Sequence, residues 1–386
     1  MVCTFEDGVQ LLLLCEYGTL GGGERSMLAT LGAVQSAGFT PTVVAPADGP
    51  LSKELRRREV EVQTFALRDA EANRLSQSQL REELGRLIRR RRPDLLHANS
   101  LAMGRLSGPI AAELGLPSIS HLRDIIKLSS RAVADLNCHT RLLAVSEATR
   151  DFHVAGGLAA EKTHVLYNGV DLDRFRPRPA SGYLHRQLDL PAGVPLIGTI
   201  GQICLRKGQD VLVQAAVALG NEWEDVHYLI VGERYSEKDE SRRFEAELHA
   251  AAAGALAGRL HLLGYRHDVA EILNELTLLV HPARQEPLGR VLLEAAAAGV
   301  PVVATDAGGT AEIFPPASRS ARLIPPDDPP ALAAAVGELI GDQRQRRRLG
   351  EAARRRAEDA FEVNRAAAGL VRHYRDVVRD EKRGHH

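Results

Sequence analysis

Short apolar runs alternate with amphipathic stretches along most of the chain. In the first half the runs are "VQLLLLCEY", "TPTVVAP", "VEVQTF", "DLLHANS", "PSISH", "RLLAVS" and "HVLYN". Helix-like spacing follows them, as at 24–37, 76–92 and 101–115. Continuous apolar strands between helices predict a parallel sheet covered on both faces, because each strand must hide both of its sides from water. The alternation breaks at 171–195, "DLDRFRPRPASGYLHRQLDLPAGVP", whose prolines and glycines predict a linker. It restarts with "PLIGTIG", "VHYLIVGE", "RLHLLG", "LTLLVHP", "PVVATD" and "ARLIPP". A second α/β domain of similar size is therefore expected. Residues 329–383 read as almost wholly helical and end in a polar, arginine-rich tail.

Length agrees with that division, since 386 residues exceed one ordinary core. The apolar fraction of 44% and charged fraction of 26% are those of a globular protein, and a formal net charge of −1 argues against a dedicated nucleic-acid binder. Cys3, Cys15, Cys138 and Cys204 show no paired spacing suited to zinc or redox chemistry, so a reduced, cytoplasmic setting is expected. "VQLLLLC" follows an acidic segment and is far shorter than a membrane span. It reads as a first, buried strand.

Two doubly wound sheets predict ligand contacts in the loops after their strands, with a cleft between the facing strand ends. The unusual residues fall there. "EYGTLGGGERS" strips side chains at Gly21, Gly22 and Gly23 just before a helix, which lets a ligand approach the backbone or simply forms a flexible turn. The spacing is not that of a dinucleotide fingerprint. "QICLRKGQD" places Arg206 and Lys207 ahead of a helix, where two cations suit a diphosphate or form a solvated pair. "SISHLRD" puts His121, Arg123 and Asp124 after another strand.

The stretch "RQEPLGRVLLEAAAAGVPVVATDAGG" raises the sharpest question, because Glu294 stands in an otherwise apolar helical run. Pro287 predicts a first helical turn, with Glu286 at the cap and the amides of Leu288, Gly289 and Arg290 open to an anion. Glu294 would then lie two turns along, roughly 12 Å from the cap. A buried carboxylate needs donors, and a vicinal diol supplies two. The plain alternative is a capping glutamate and an exposed helix face. "TDAGGTAEI" adds Gly308, Gly309, Thr310 and Glu312 after the next strand, either near a sugar-like ligand or as an ordinary loop.

Taken in order, these residues resemble the retaining glycosyltransferases of family 4, of the group 1 and glycogen synthase type. The likeness runs from "GGGE" at 21–24 through "NGVDLDRF", "GQICLRKG", "LGYRHDV", the Glu286 and Glu294 pair and "EAAAAGVPVVATDAGGTAEI". It implies the GT-B fold: α/β, two doubly wound Rossmann-like domains facing a deep cleft, with the C-terminal helix crossing back. The expected division is 1–175 with about 362–386, and 176–361. The resemblance implies donor contacts at Gly22, Gly23, Arg206, Lys207, Tyr265, Arg266, Glu286, Leu288, Gly289, Arg290, Val291 and Glu294. Glu294 would hold ribose hydroxyls and Glu286 the donor sugar. His121, Arg206, Lys207 and Glu286 carry the catalytic expectation, and Glu24, Arg123 and Asp124 the acceptor side. Relatives often have glycine and phenylalanine where this chain has Pro287 and Leu288, so the sugar pocket departs from the pattern.

The implied reaction moves a hexosyl group from a UDP- or GDP-linked sugar to an acceptor hydroxyl with retention, in glycan, glycolipid or glycoconjugate synthesis. No cofactor and no metal are expected, since no D-x-D-type carboxylate cluster stands in place to hold one. The acceptor is a sugar, a lipid-linked or a small molecule. Rival readings are a non-catalytic sugar-nucleotide-binding relative, a GT-B nucleotide-sugar epimerase and a two-lobed solute-binding protein; the missing export signal disfavours the last. Arginine clusters at 89–92, 344–348 and 354–356 suit peripheral contact with an anionic membrane face, although a solvated helix surface is the plainer reading. The final "RGHH" receives no role.

Overall fold

A computed structural model of the chain describes residues 8–69, 71, 73–220 and 222–384; Cys3 and the last two histidines lie outside the described residues. Two compact units form, one from the residues through Gly169 together with those from Val363 onward, the other Val170–Glu362. The change of unit thus falls a few residues before the expected break at 175/176.

Every apolar run named above is a strand. In the first unit these are β1 (Val9–Leu14), β2 (Phe39–Ala45), β3 (Glu61–Thr64), β4 (Leu95–Ala98), β5 (Ser118–Leu122), β6 (Arg141–Ala144) and β7 (Thr163–Val165). They pair in the order β3-β2-β1-β4-β5-β6-β7, parallel throughout. The second unit holds β8 (Leu196–Ile200), β9 (His227–Val231), β10 (Leu260–Gly264), β11 (Leu278–His281), β12 (Val302–Thr305) and β13 (Arg322–Ile324). Their order is β10-β9-β8-β11-β12-β13, again parallel. Both are doubly wound sheets whose order reverses beside the first strand, at β1/β4 and at β8/β11, where such sheets take ligands.

Strand period explains the cores. Leu11 and Leu13 of β1 join Val43, Leu95, Ile119 and Leu143 on one face, while Leu12 and Leu14 join Val44 and Leu96 on the other. Successive side chains point to opposite faces, so a strand buried on both sides must be apolar at every position. The first face is closed by the helix Gly22–Ser36 and by the last helix, Val363–Gly384. From that last helix Leu370, Val371, Tyr374, Val377 and Val378 reach the sheet, at the three- and four-residue spacing of one helical face. In the second unit Ile197, Tyr228, Ile230, Leu278 and Val280 pack against Leu332, Val336 and Leu339 of the helix Pro329–Gly341.

The stretch at 171–195 is not a free linker. Ser181 and Gly182 donate backbone N–H bonds of 2.6 and 3.0 Å to the buried carboxylate of Glu275, and the amide of Arg178 donates 2.7 Å to Asn274 Oδ1. Its short helix Tyr183–Gln187 buries Leu184. Proline and glycine report irregular backbone, and irregular backbone packs well when a buried acceptor meets its amides. The described cysteines, Cys15, Cys138 and Cys204, are all free.

Candidate functional site

In the second unit β8 leads into a single turn, Leu205–Lys207, and then the helix Gln209–Leu219. Gly208 joins them at φ +66°, and a Cβ there would lie 2.0 Å from the carbonyl oxygen of Pro282. Only glycine lets the loop after β8 lie this close to the loop after β11. The contact is fastened further on. Arg284 donates its backbone N–H to Arg206 O at 2.9 Å and forks onto Asp210 at 2.9 and 2.7 Å. Arg206 Nη1 donates to Gln285 O at 3.2 Å.

This docking brings Lys207 onto Glu286. Lys207 Nζ donates to Glu286 Oε2, and His281 Nε2 meets the same oxygen at 2.6 Å. Glu286 is 4% exposed. Burial raises its carboxyl, yet Lys207 and His281 outweigh burial and hold the group below the usual carboxylate range. Burial pushes the His281 imidazole down despite its bond to Glu286, so this histidine is a neutral donor. Both donors use Oε2, and Oε1 has no partner among the described residues.

The helix after Glu286 begins later than Pro287 predicts. It spans Arg290–Ala297, with Gly289 at φ +96° as its cap. Glu286 is therefore not a capping residue. Proline is only compatible with a first turn, whereas the left-handed glycine fixes where this helix starts. The amides of Leu288 and Gly289 still lack a partner among the described residues, although Leu288 is 1% exposed. An open amide on a buried residue is a ready place for a ligand oxygen. Glu294 now sits one turn into the helix rather than two. Arg290 Nη2 donates to its Oε1 at 2.7 Å, the polar partner that the apolar run seemed to lack. Val291 is buried in the core, and Gly309 ties the next loop in by donating to Glu286 O at 2.9 Å.

Tyr265 and Arg266 follow β10. Arg266 forks onto Asp268 at 2.8 and 2.6 Å and donates to Gln187 at 3.2 Å, so its guanidinium is already engaged. Tyr265 packs edge-on to His267 at 4.8 Å. Thr310 is fully buried. The carbonyl of Glu312 accepts from Arg356 at 3.1 Å, which gives that loop a structural duty.

In the first unit Gly21 caps the helix Gly22–Ser36, and the Glu24 carboxylate folds back beside Gly21. Burial raises that carboxyl. At Gly23 a Cβ would stand 3.1 Å from Arg123 Cδ. Arg123 is a clamp. It donates to Asn99 O at 3.1 Å, Asn99 Oδ1 at 2.8 Å and Asn168 Oδ1 at 3.0 Å, and approaches His121 Nδ1 at 3.3 Å. The Asp124 side chain is exposed, and its carbonyl takes a 2.8 Å contact from His153. His121 is 3% exposed; burial first, then Arg123 and His97, drive its imidazole well below the ordinary value and keep it neutral.

The sequence reading missed His281, His97, Asn99 and Tyr374. His281 had a usable signal, since it ends a strand five residues before Glu286. The others are drawn together only by the fold. Among the described residues no group of three or more His, Cys, Asp or Glu is spaced to hold a metal ion, and no helix is long and apolar enough to cross a membrane.

Two doubly wound units, each with a cluster of polar side chains near its switch point, define a GT-B-type α/β protein. The model of the family described as Glycosyltransferase Family 4 matches residues 20–174, and that described as Glycosyl transferases group 1 matches 183–356. The chain belongs to the family 4, group 1 glycosyltransferases. It is 27% identical over 369 residues to the GDP-mannose-dependent alpha-mannosyltransferase of Mycobacterium tuberculosis, covering 90% of this chain and 92% of that one. It is 32% identical over 228 residues to the D-inositol 3-phosphate glycosyltransferase of Xylanimonas cellulosilytica, covering 58% of this chain and only 53% of that relative. Among solved structures, Anabaena HepE in complex with UDP-glucose superposes with a TM-score of 0.83 at 24% identity, over 95% of this chain and 99% of that one. At that identity the likeness speaks for the fold alone.

Proposed function

We propose that this glycosyltransferase moves a hexosyl group from a UDP- or GDP-linked sugar to an acceptor hydroxyl, with retention at the anomeric carbon and without a metal. The observation that carries this reading is the Lys207–Glu286 pair beside the open amides of Leu288 and Gly289. Oε1 of Glu286 is an acceptor for a sugar hydroxyl, and the two amides and Arg206 are donors for phosphate oxygens. Glu294 serves the ribose diol, with Arg290 holding its other oxygen. In the reaction the bond from the anomeric carbon to the phosphate oxygen breaks, and its electron pair stays on the diphosphate. The acceptor oxygen bonds to the same face, and its proton passes to the departing phosphate oxygen. Arg206, Lys207 and the helix-start amides offset the charge that develops there. The donor named for one relative, GDP-mannose, supports a nucleotide-sugar donor here.

Calorimetric titration with UDP, GDP, UDP-glucose and GDP-mannose tests the reading. One nucleotide and its sugar are expected to bind, turnover should survive a chelator, and the product should keep the anomeric configuration of the donor. Glu294→Ala should weaken nucleotide binding by roughly 10- to 100-fold, the scale of a charged hydrogen bond. Unchanged affinity in that variant sinks the ribose assignment, and an inverted product sinks retention.

A further inference from the structure

His121 is the end of a buried chain of hydrogen bonds that begins on the last helix. Tyr374 Oη lies 2.5 Å from His97 Nδ1, and His97 Nε2 lies 2.8 Å from His121 Nδ1. All three side chains are almost fully buried, and Tyr374 and His97 are 277 positions apart in sequence. Arg123 reveals the direction in which the protons of this chain run. Its Nη2 faces His121 Nδ1 at 3.3 Å, and a guanidinium can only donate. His121 Nδ1 must therefore be a bare acceptor, and a neutral ring then carries its proton on Nε2. His97 faces that same bare nitrogen, so His97 donates from Nε2 and is itself bare at Nδ1. Tyr374 completes the chain by donating its hydroxyl proton to that atom. The reverse arrangement would aim an N–H of His121 at the N–H of Arg123.

We propose that Tyr374 and His97 are positioning residues that hold His121 as its Nε2–H tautomer, so that the C-terminal helix decides which hydrogen-bond donor the histidine presents. The burial that keeps both rings neutral removes the alternative of a doubly protonated ring: His97 is pushed down to about 3, by desolvation first and then by Arg123 and His139. Burial likewise raises the Tyr374 hydroxyl, so it remains a donor. His121 Nε2 has no partner among the described residues, which leaves that N–H for a substrate oxygen. The inference rests on the reading of His121 as a substrate-facing group.

Ring-nitrogen NMR of the full chain labelled at histidine, assigned with His121→Asn, tests the relay without any substrate. His121 and His97 should each appear as a neutral Nε2–H tautomer. Tyr374→Phe and His97→Leu leave only the longer 3.3 Å Arg123 contact to fix the tautomer of the ring, and should give mixed tautomers at His121. They should also lower kcat about tenfold, the equivalent of one hydrogen bond to a reacting group, with donor KM changed far less. His97→Gln, whose amide keeps an N–H at similar reach, should retain most of the turnover. A wild-type His121 protonated at Nδ1 overturns the relay. So do Tyr374→Phe and His97→Leu variants that both leave the His121 ring signals and kcat as they were. A wild-type chain with no turnover on any nucleotide sugar overturns the transfer reading instead, and the ring signals then decide the relay alone.

Discussion

The two units repeat one strand order and arm it with opposite chemistry. At the centre of the first sheet stands a neutral relay, Tyr374, His97 and His121, with Arg123 as its single cation. At the centre of the second stand paired ions: Lys207 with Glu286, Arg290 with Glu294 and Arg284 with Asp210. Neutral groups can be buried for little desolvation and then supply directional hydrogen bonds. Ions supply long-range stabilisation of a charged leaving group, and they are tolerated in the interior only while each keeps its partner. Topology therefore sets where a ligand is met, while the loops after the strands decide what meets it.

Breaking an ion pair should give the largest effect. Lys207→Met leaves Glu286 buried with only a neutral histidine, and the expected loss is about 3–5 kcal/mol of stability with at least about 100-fold in turnover. Denaturant unfolding and steady-state rates measure the two. The double variant Lys207→Met with Glu286→Gln should recover most of the stability and none of the turnover. Recovery of both would mean that the pair is structural alone.

The neutral side of the comparison is tested by acid. His97 is pushed down to about 3 and His139 to about 4, burial being the first cause of each. Such a histidine takes up a proton in the unfolded chain below about pH 6.5 but refuses it when folded. Stability should therefore fall as pH drops from 6.5 toward 4, by up to about 1.4 kcal/mol per pH unit for each group. Glu286 runs the same way but at lower pH, since a carboxyl held low begins to lose its contribution only as pH falls below its ordinary value of about 4.5. Among the described residues the first unit has six histidines lowered mainly by burial (His97, His121, His139, His153, His164 and His373), against three in the second (His227, His261 and His281). Hydrogen exchange at pH 5 should open the first unit before the second, and His139→Gln should reduce the acid sensitivity. Equal opening would erase the contrast.

Much of this architecture is legible in the sequence. Strand positions were readable because a strand covered on both faces must be apolar throughout, a signal that survives without long-range information. The places of Arg206, Lys207 and Glu286 are readable for the same reason, as they follow such strands, whereas His121 lies within β5 and not after it as the sequence suggests. What could not be read was who meets whom. Pro287 pointed to a helix start that Gly289 takes instead, because several backbones satisfy the same proline and only one uses a left-handed glycine. Glu294 was short of a partner on paper, and the partner proved to be Arg290 on the same helix turn. His97 and Tyr374 give no local signal at all: each is an ordinary core position until the last helix packs on the first sheet.

The smallest expected effect concerns a partly exposed ion pair of the second unit, Arg266 with Asp268. Asp268 is pushed down to about 2, first by its bond to Arg266 and also by the 2.8 Å hydroxyl bond from Tyr183. A carboxyl lowered in this way stabilises the fold above its ordinary range and loses that contribution as pH falls from about 4 toward 2. The group is partly exposed, so solvent screening keeps the contribution small. Tyr183→Phe should cost about 0.5–1.5 kcal/mol in denaturant unfolding, the ordinary scale of one hydrogen bond. Nucleotide affinity should hardly move, because the Arg266 fork is spent on Asp268 and on Gln187. If Tyr183→Phe weakened nucleotide binding as strongly as Glu294→Ala, the loop after β10 would belong to the base pocket itself. The ionic design of the second unit would then extend from the diphosphate to the base.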